Sequence, residues 1–353
     1  MARKNNKKVI VAMSGGIDSS VAAALLKRAG FNVIGVFMKF WSPPEKKGLG
    51  GAWNRCCSPE AEKRAGWVAK SLGIPFYVFN VEKEFKKIIV DYFLAGYKKG
   101  ITPNPCVLCN KEIKFGLLLK KALELGADYL ATGHYAQIKN GKLFRAKDES
   151  KDQSYFLWQL SKEQLRHVLF PVGGYSKAQV KKLAKKFRLP VFNIPESMEI
   201  CFIQTTINDF LKDYLKPKPG KIVDVKGNVL AKHQGLAFYT IGQRKGIGLP
   251  SGPFWVLDKN LKKNLLVVTK NEKDLYKKEL IAKNVNWISD KEVSLPIKVK
   301  AKIRYLQSLE TAKIYQKEGK YFVEFEKPQR AITPGQSVVF YKGQELVGGG
   351  IIS

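Results

Sequence analysis

The chain has 353 residues, of which 62 are lysine or arginine and 30 are aspartate or glutamate, so its formal net charge is +32. Solvated lysine faces account for part of this charge, but its size exceeds what solubility needs and points to a polyanion, either a nucleic acid or an anionic membrane. No apolar run approaches the roughly 18 residues of a transmembrane helix, the basic start lacks a signal-peptide core, and the five cysteines argue against a secreted disulfide framework, so we expect a cytoplasmic protein of two or three domains.

The first predicted strand, 9–13, runs into the glycine-rich turn Ser14–Ser19 (SGGIDS), and a helical pattern follows at once. Backbone N–H groups and a helix N-terminus then converge on one point, an arrangement that binds phosphate, and Ser19 or Ser20 is expected to cap the helix. A Walker A loop needs a lysine before its Ser or Thr, and this turn has none, so a kinase-like or GTPase-like site is disfavoured. The turn instead resembles the SGGxDS loop (PP-loop) of the ATP pyrophosphatases. That resemblance implies cleavage of ATP between its α and β phosphates, adenylation of a carbonyl oxygen, and a position for Asp18 near Mg²⁺.

Apolar runs alternate with helical patterns up to about residue 138, which predicts a doubly wound α/β domain with a parallel sheet that is hydrophobic on both faces. The predicted strands are 9–13, 31–38, 74–81 and 127–133, and the predicted helices start at a Ser58-Pro59 cap and near 84, 111, 161 and 176. Ligands bind at the carboxyl ends of such strands, where the Ser14–Ser19 turn falls. We predict that segment 41–57 is a lid over the nucleotide and that 139–155 is a second long irregular region.

The pattern changes after about residue 205. A linker or turn is predicted at 217–220, and a hairpin is predicted around Lys226-Gly227-Asn228. From about residue 280, two-residue alternation predicts a small antiparallel barrel or sandwich with lysines on its outer face. We therefore expect three domains: a PP-loop domain over 1–205, a small central domain over 206–279 and a C-terminal antiparallel β-barrel over 280–353.

Cys106 and Cys109 form a CxxC pair directly behind the two prolines of 102–105. A helix predicted to start near Asn110 places Cys109 at or near its N-terminus, and this position, together with Lys111, favours the reactive thiolate. A CxxC pair alone leaves a redox pair, half a zinc site and a cluster ligand open. The sequence has no second CxxC and no His-x₃-His, so a structural zinc site is disfavoured.

Cys201 lies between Ile200 and Phe202, and taken alone this position is typical of a buried small hydrophobe. Cys56 and Cys57 follow each other in the predicted lid, and we interpret them as non-catalytic.

A series of motifs then appears in order along the chain: MSGGIDSS at 13–20, TPNP at 102–105, CNKEIKF at 109–115, ATGHY at 131–135, KDQSYFL at 151–157, EICFI at 199–203, YTIGQRKGIG at 239–248, TPGQ at 333–336 and GGGI at 348–351. With them the chain resembles the tRNA-specific 2-thiouridylases, the MnmA family, over nearly its whole length. That family modifies the wobble uridine (U34) of certain tRNAs. The resemblance implies an ATP-dependent sulfurtransferase that uses ATP and Mg²⁺.

The resemblance also implies the reaction. ATP adenylates O2 of the uridine, Cys201 accepts a sulfane sulfur as a persulfide, and Cys109 releases the sulfur and ends in a disulfide with Cys201. The implied partners are tRNA of the Lys, Glu and Gln isoacceptors and a sulfur-donor protein, either a cysteine desulfurase or a sulfur-relay carrier, with no membrane. The implied nucleotide-binding residues are Ala12, Met13, Ser14, Gly15, Gly16, Ile17, Asp18, Ser19, Met38 and Gly133. The implied tRNA contacts are Asn104, Pro105 and Cys106 at the target base, and His134, Lys151, Asp152, Gln153, Arg304, Tyr305 and Gln336.

Several of these implied tRNA contacts also have a simpler structural interpretation. His134 could cap a strand end, Lys151–Gln153 could be a solvated loop, and Arg304-Tyr305 could be an exposed strand end. A guanidinium beside an aromatic ring also suits RNA bases.

One residue departs from the family pattern, because many members carry aspartate where this chain has Cys106. A thiol is a soft metal ligand, so Cys106, Cys109 and Cys201 could instead hold a [4Fe–4S] cluster with one open iron. Two further classes stay open: a PP-loop ligase that uses an amine nucleophile and needs neither Cys109 nor Cys201, and a basic RNA-binding protein without catalysis.

Overall fold

A computed structural model describes residues 6–44, 58–192, 200–288 and 293–353. In chain order the helices are α1 (Ile17–Arg28), α2 (Pro59–Leu72), α3 (Glu82–Phe85), α4 (Asp91–Lys98), α5 (Pro105–Leu108), α6 (Leu119–Glu124), α7 (Lys162–Arg166), α8 (Lys177–Lys186) and α9 (Ile207–Tyr214). The strands are β1 (Lys8–Ala12), β2 (Asn32–Lys39), β3 (Phe76–Asn80), β4 (Tyr129–Ala131), β5 (Ala136–Lys139), β6 (Lys142–Arg145), β7 (Val168–Leu169), β8 (Gly220–Val223), β9 (Val229–His233), β10 (Trp255–Asn260), β11 (Leu265–Thr269), β12 (Tyr276–Trp287), β13 (Ile297–Lys302), β14 (Glu310–Lys317), β15 (Lys320–Arg330), β16 (Ser337–Lys342) and β17 (Glu345–Ile352). Two π-helical segments, Lys86–Val90 and Cys109–Leu118, join α3 to α4 and α5 to α6.

The described residues form two compact units. One comprises Met1–Ile89, Cys106–Gln204 and Gln344–Val347, and the other comprises Val90–Pro105, Thr205–Gly343 and Gly348–Ser353. Most of the predicted lid, residues 45–57 with Cys56 and Cys57, lies outside the described residues, as does Glu199. None of the described helices is long and apolar enough to cross a bilayer.

The first unit is built on a five-stranded sheet in the order β3-β2-β1-β4-β7, with every neighbouring pair parallel. The central strand β1 places Val9 opposite Val33 of β2 on one side and Tyr129 of β4 on the other. Val9 and Val33 are buried, as strands of a covered parallel sheet should be. The predicted doubly wound α/β domain is therefore confirmed.

Two predictions about this sheet are wrong in detail. The strand β3 lies at an edge of the sheet and is not buried on both faces, since Tyr77 is 61% exposed and Val78 is also exposed. The two-residue strand β7 begins at the last residue of a helical pattern predicted near 161–168, and it was missed because two residues give no periodic signal.

The predicted start of α2 is confirmed. The Ser58 side chain accepts a hydrogen bond from the Ala61 amide at 3.1 Å, and Pro59 occupies the first helical position. The helix ends at Gly73, which adopts the left-handed conformation that most other residues resist.

The segment 139–155 is not one irregular region, as was predicted. Its first part completes the hairpin of β5 and β6, which turns at Asn140 and Gly141, both with positive φ. Asn-Gly is a strong signal for such a two-residue turn, and the prediction overlooked it. Two short 3₁₀ turns follow, Glu149–Lys151 and Ser154–Leu157.

The second unit contains a four-stranded sheet and a barrel. The predicted hairpin near Lys226 is confirmed as β8 and β9, and it lies in a sheet of order β10-β11-β8-β9. The barrel strands run in the order β12-β15-β14-β13-β16-β17, and β12 also pairs with β17, so the barrel is closed. The predicted C-terminal antiparallel β-barrel is thus confirmed, whereas α9 was not predicted.

The helix α8 offers a test of local stability. The Ser176 side chain accepts a hydrogen bond from the Gln179 amide, and the Gln179 side chain bonds back to the Ser176 amide, which forms a complete capping box. Because such a cap stabilises a helix by about 1 kcal/mol, Ser176→Ala should speed amide hydrogen exchange in residues 177–186 about fivefold. The control is Lys182→Ala, at an exposed position of the same helix, for which we expect a change of less than about twofold. Equal exchange rates in the two variants would contradict this account of the cap.

Candidate active site

The Ser14–Ser19 turn connects β1 to α1 at the carboxyl end of the central strand. The Ser14 amide donates to the Ser19 hydroxyl at 3.1 Å, and that hydroxyl donates to the Gly16 carbonyl at 3.2 Å. Contrary to prediction, neither Ser19 nor Ser20 caps the helix, because the helix begins earlier, with Gly16 as its N-cap. The Ser20 hydroxyl instead donates back to the Gly16 carbonyl at 2.8 Å. The hydroxyl groups thus fix the shape of the turn.

Two glycines let neighbouring backbone approach this turn closely. A Cβ atom on Gly15, whose φ is +71°, would lie 2.2 Å from the carbonyl oxygen of Ala61. A Cβ atom on Gly133 would lie 2.5 Å from the Ser19 amide nitrogen. The turn is therefore packed against the start of α2 and against the segment after β4, and neither position has room for a side chain. Arg64 of α2 adds a hydrogen bond from its Nε to the Gly15 carbonyl at 3.3 Å.

Met13 and Met38, both predicted nucleotide contacts, have buried side chains. The Met13 sulfur packs so closely on β2 that a Cβ atom on Gly35 would lie 2.6 Å from it. The Met13 amide donates to the Val36 carbonyl at 2.8 Å. Met13 therefore anchors the start of the turn to the sheet.

The Asp18 carboxylate is the most heavily bonded group at the turn. The Lys177 ammonium lies 2.7 Å and 2.8 Å from its two oxygens, and the Tyr135 hydroxyl donates to Oδ1 at 2.7 Å. The side chain of Lys177 is only 10% exposed, whereas that of Asp18 is 32% exposed. The Lys177 ammonium also lies 5.6 Å from the centre of the Tyr135 ring, within range of a cation–π interaction.

Sequence reasoning missed Lys177 altogether and noted Tyr135 only as part of a motif. Lys177 and Asp18 are 159 positions apart, so no local pattern joins them. The available signal was the capping box at Ser176, which fixes where α8 starts and hence where Lys177 lies.

The segment 148–153 supports both partners of Asp18. The Asp148 carboxylate accepts a hydrogen bond from the Lys177 amide at 2.9 Å, and this bond is the main reason that the pKa of Asp148 is lowered. The Gln153 amide donates to the Tyr135 carbonyl at 2.8 Å, and the Gln153 side-chain oxygen accepts from the Tyr135 amide at 2.9 Å. A segment predicted to contact tRNA is therefore one or two bonds away from the predicted ATP loop.

Asp152, a predicted tRNA contact, has a buried carboxylate that holds this segment together. It accepts hydrogen bonds from the Ala146 amide at 3.1 Å and from the Ser154 hydroxyl at 3.0 Å, and it pairs with Arg145 at 3.4 Å. These bonds shape the segment from inside, and a contact between Asp152 and tRNA stays a prediction. Lys151 lies next to it at the end of a 3₁₀ turn.

His134 follows Gly133 and β4. Its Nδ1 lies 2.6 Å from the Thr132 hydroxyl, and its ring packs between Phe115 and Phe170, with both ring centres 5.9 Å away. Burial, with a smaller contribution from the charge of Lys114, lowers the pKa of His134 well below 6.5. His134 is therefore a neutral hydrogen-bonding group near pH 7, and its contact with tRNA stays a prediction.

The structure corrects the predicted position of Cys109 relative to the start of its helix. The helical run starts at Pro105, five residues before the predicted start near Asn110, because a proline is favoured at the first position of a helix. Cys106 thus lies in the first turn, whereas Cys109 begins the π-helical segment and is buried. The argument from the helix N-terminus applies to Cys106 and not to Cys109.

Cys201 is partly exposed in a turn closed by a 3.0 Å bond from the Ile203 amide to the Ile200 carbonyl. The adjacent Phe202 is buried against Phe85. Cys106, Cys109 and Cys201 form no disulfide in this structure. Across residues 6–44, 58–192, 200–288 and 293–353, no three His, Cys, Asp or Glu side chains converge as metal ligands, so this arrangement does not fit a cluster.

The second unit contains the remaining predicted tRNA contacts. The Gln336 side chain donates to the Thr102 carbonyl at 2.8 Å, and the Thr102 amide donates to the Pro334 carbonyl at 2.9 Å. These bonds attach the chain just before Asn104 and Pro105 to the barrel.

The Arg304 guanidinium donates to the Ala331 carbonyl at 3.0 Å and to the Thr333 hydroxyl at 2.9 Å. The Tyr305 carbonyl accepts from the buried Lys302 ammonium at 3.2 Å. Arg304 and Gln336 therefore make bonds within the unit, whatever they contact in RNA.

Comparison with known proteins follows the same order of domains. The chain matches the family profiles described as "tRNA methyl transferase HUP domain" over 7–205, "tRNA methyl transferase PRC-barrel domain" over 208–270 and "Aminomethyltransferase beta-barrel domain" over 277–352. A protein named tRNA-specific 2-thiouridylase MnmA from Clostridioides difficile strain 630 is 48% identical over 358 residues, which cover 98% of both chains. One named tRNA-specific 2-thiouridylase MnmA 2 from Thermoanaerobacter sp. strain X514 is 50% identical over 361 residues, again 98% of both chains.

Among solved structures, a 4-thiouridine synthetase in complex with RNA and ATP overlaps with a TM-score of 0.37 at 20% identity, over 59% of this chain and 50% of that chain. A likeness this low has no bearing on function. The sheet and its turn define a HUP-domain protein with a PP-loop. Within that class, the chain belongs to the tRNA-specific 2-thiouridylase (MnmA) family.

The close approach at Gly133 gives a sharp test. Gly133→Ala must push the Ser19 amide away, and overpacking of this kind should weaken binding of an ATP analogue about tenfold. Gly174→Ala is the matched control, because a Cβ atom there meets no heavy atom within 4 Å and its φ is unstrained. Titration calorimetry with α,β-methylene-ATP measures both variants. Equal affinity for Gly133→Ala and the wild type would show that the turn does not bind the nucleotide.

The partly buried imidazole of His134 gives a prediction for pH. Because the pKa of the folded group lies below its unfolded value of 6.5, the unfolded chain binds the proton first, and His134 makes folding less favourable as the pH falls below about 6.5. The free energy of unfolding then falls by up to about 1.4 kcal/mol per pH unit, until the pH reaches the lowered pKa of the folded state. The His134 ring resonances in an NMR titration should not move between about pH 6 and 8. A midpoint near 6.5 would contradict this, and His134→Gln identifies the resonances.

Proposed function

We propose that this protein uses ATP to replace O2 of the wobble uridine of tRNA with sulfur, as a tRNA-uridine 2-sulfurtransferase. The observation that carries this proposal is that relatives named tRNA-specific 2-thiouridylase share about half of their residues with nearly the whole of this chain. The intact Ser14–Ser19 loop supports the ATP step. The net charge of +32 supports an RNA substrate.

The first step activates the base. Uridine O2 attacks the α-phosphorus of ATP, the bond to the β-phosphate breaks, and pyrophosphate leaves with the electron pair. The proton of N3 is lost to solvent, and the uridine now carries AMP as a leaving group. The backbone amides of the turn and the start of α1 stabilise the negative charge of the phosphates. Ala12, Met13, Met38 and Gly133 line the proposed nucleotide site.

Mg²⁺ fits the one carboxylate at the turn. Asp18 offers partly exposed oxygens beside the phosphate position, and Mg²⁺ is typically held by one or two carboxylates together with substrate phosphates. The ion, when bound, offsets negative charge on the phosphates.

The second step transfers sulfur. Cys201 carries a persulfide received from a donor, a cysteine desulfurase or a sulfur-relay carrier. The Cys109 thiolate attacks Sγ of Cys201, so the terminal sulfur leaves as hydrosulfide and the two cysteines become a disulfide. Hydrosulfide attacks C2, AMP departs with the former O2, and N3 regains a proton. An external thiol reduces the disulfide before the next turnover. The partly exposed turn at Cys201 suits reception from a donor.

The tRNA assignments complete the proposal. Asn104, Pro105 and Cys106 face the target base, and His134, Lys151–Gln153, Arg304-Tyr305 and Gln336 contact the rest of the tRNA. The Lys, Glu and Gln isoacceptors are the proposed substrates and the cytoplasm the proposed location. The proposed division is 1–205 for adenylation and thiolation, with 206–279 and 280–353 for tRNA binding.

The cysteine assignments can be tested by mass spectrometry of tRNA nucleosides after incubation with ATP and a persulfide donor. Cys109→Ser and Cys201→Ser should lower 2-thiouridine formation at least about 1,000-fold, because each removes a reacting sulfur. Both should still release AMP and pyrophosphate with tRNA, because adenylation needs neither thiol. Cys56→Ser is the matched control and should retain activity.

Each alternative has its own outcome in this experiment. Full activity of Cys109→Ser would favour an amine ligase, and no AMP from the wild type would favour a non-catalytic RNA-binding protein. Iron and sulfide bound to anaerobically purified, active protein would replace the persulfide route with a [4Fe–4S] route through Cys106, Cys109 and Cys201.

A further inference from the structure

We propose that Lys177 is the phosphate-binding cation of the ATP site, and that its ammonium leaves Asp18 for the β- and γ-phosphates when ATP binds. This inference rests on the proposed function and adds a residue to its first step. It supplies from α8 the lysine that the Ser14–Ser19 turn lacks.

The position of the ammonium is the first argument. It touches both oxygens of Asp18, and Asp18 is the second residue of α1. The ammonium therefore already lies at the helix N-terminus, where phosphate charge is expected.

Burial is the second argument. The Lys177 side chain is 10% exposed and that of Asp18 is 32% exposed, so the cation is the more buried member of the pair. A buried ion pair seldom adds more to the free energy of unfolding than an apolar pair of similar size would. A polyanionic ligand at the adjacent turn would explain why a cation occupies this place.

The way the lysine is held is the third argument. Its backbone is fixed from two directions, by the capping box at Ser176 and by the 2.9 Å bond from its own amide to Asp148. Its four-carbon side chain keeps rotational freedom that the backbone lacks. Because the backbone is fixed and the side chain is long, the ammonium can move between neighbouring anions while α8 stays in place.

Exchange of partners keeps the charges balanced. In the resting state the ammonium neutralises Asp18, and Tyr135 donates to the same carboxylate. With ATP bound, Asp18 faces Mg²⁺ and the ammonium faces the phosphates. When the bond between the α- and β-phosphates breaks, the ammonium offsets the charge that grows on the departing pyrophosphate.

Binding measurements on the full-length protein test this directly. Lys177→Met should weaken binding of α,β-methylene-ATP with Mg²⁺, and of inorganic pyrophosphate, by about 10- to 100-fold, which is the usual worth of a hydrogen bond to a charged group. AMP lacks the β- and γ-phosphates, so its affinity should change less than about twofold, within error. Lys177→Arg should recover most of the loss for the ATP analogue. Lys182→Met removes an equal charge from an exposed position of α8 and should change nothing.

A purely structural salt bridge predicts a different pattern. If Lys177 only holds Asp18 in place, Lys177→Met distorts the turn and weakens AMP and the ATP analogue alike, and that result overturns the proposal. Unchanged affinity for the analogue overturns it as well. If the methionine variant does not fold, Lys177→Gln, which keeps a donor toward Asp18, must meet the same expectation.

Failure of the proposed role of Lys177 can be distinguished from failure of the proposed function. Wild-type protein that binds the analogue but forms no 2-thiouridine refutes the proposed function and leaves the role of Lys177 standing. Wild-type protein that thiolates tRNA, with a variant that loses AMP and analogue equally, refutes only the role of Lys177.

Discussion

The proposed ATP site is organised around one interaction, the pairing of the Asp18 carboxylate with the Lys177 ammonium. A carboxylate at the start of a helix is favoured by the helix dipole. A partly buried carboxylate also needs hydrogen-bond or ionic partners for its oxygens. Lys177 and Tyr135 meet that need. Removing one member of this partly buried pair would leave the other charge without its partner, so these side chains constrain one another.

The constraint extends beyond the turn. Tyr135 is held by Gln153, and Lys177 is held by Asp148, so both partners of Asp18 are attached to the segment 148–153. The buried carboxylate of Asp152 in turn fixes that segment. Residues that the family resemblance assigns to tRNA are therefore joined by hydrogen bonds to the residues around the predicted ATP loop. Their inward-facing bonds show that these motif residues also hold the fold together.

Sequence reasoning succeeded where the signal is local. The Ser14–Ser19 turn, the Ser58-Pro59 start of α2 and the alternation of the barrel strands all depend on neighbouring residues, and all were found. The β5–β6 hairpin was missed although Asn140-Gly141 is also a local signal. The start of the helix before Cys109 was placed late, near Asn110, although proline is favoured at the first helical position.

The remaining features could not have been predicted from pattern. Asp18 and Lys177 are distant in sequence, and only the parallel sheet and the packing of α8 on α1 bring them together. The same holds for Gly133 and Ser19, since only the folded chain brings them so close that a Cβ atom on Gly133 would lie 2.5 Å from the Ser19 amide nitrogen. Motif resemblance named many of these positions, but it gave no reason for their proximity.

Activation of O2 of the wobble uridine by ATP is the step on which the proposed function rests, and an isotope label on that oxygen tests it. A tRNA carrying ¹⁸O at O2 of that uridine is incubated with the protein, ATP and a persulfide donor, and the AMP is analysed by mass spectrometry. We expect one ¹⁸O atom in AMP for each 2-thiouridine formed, and unlabelled AMP when the label is supplied in water instead. Unlabelled AMP from the labelled tRNA, alongside normal thiolation, would contradict it.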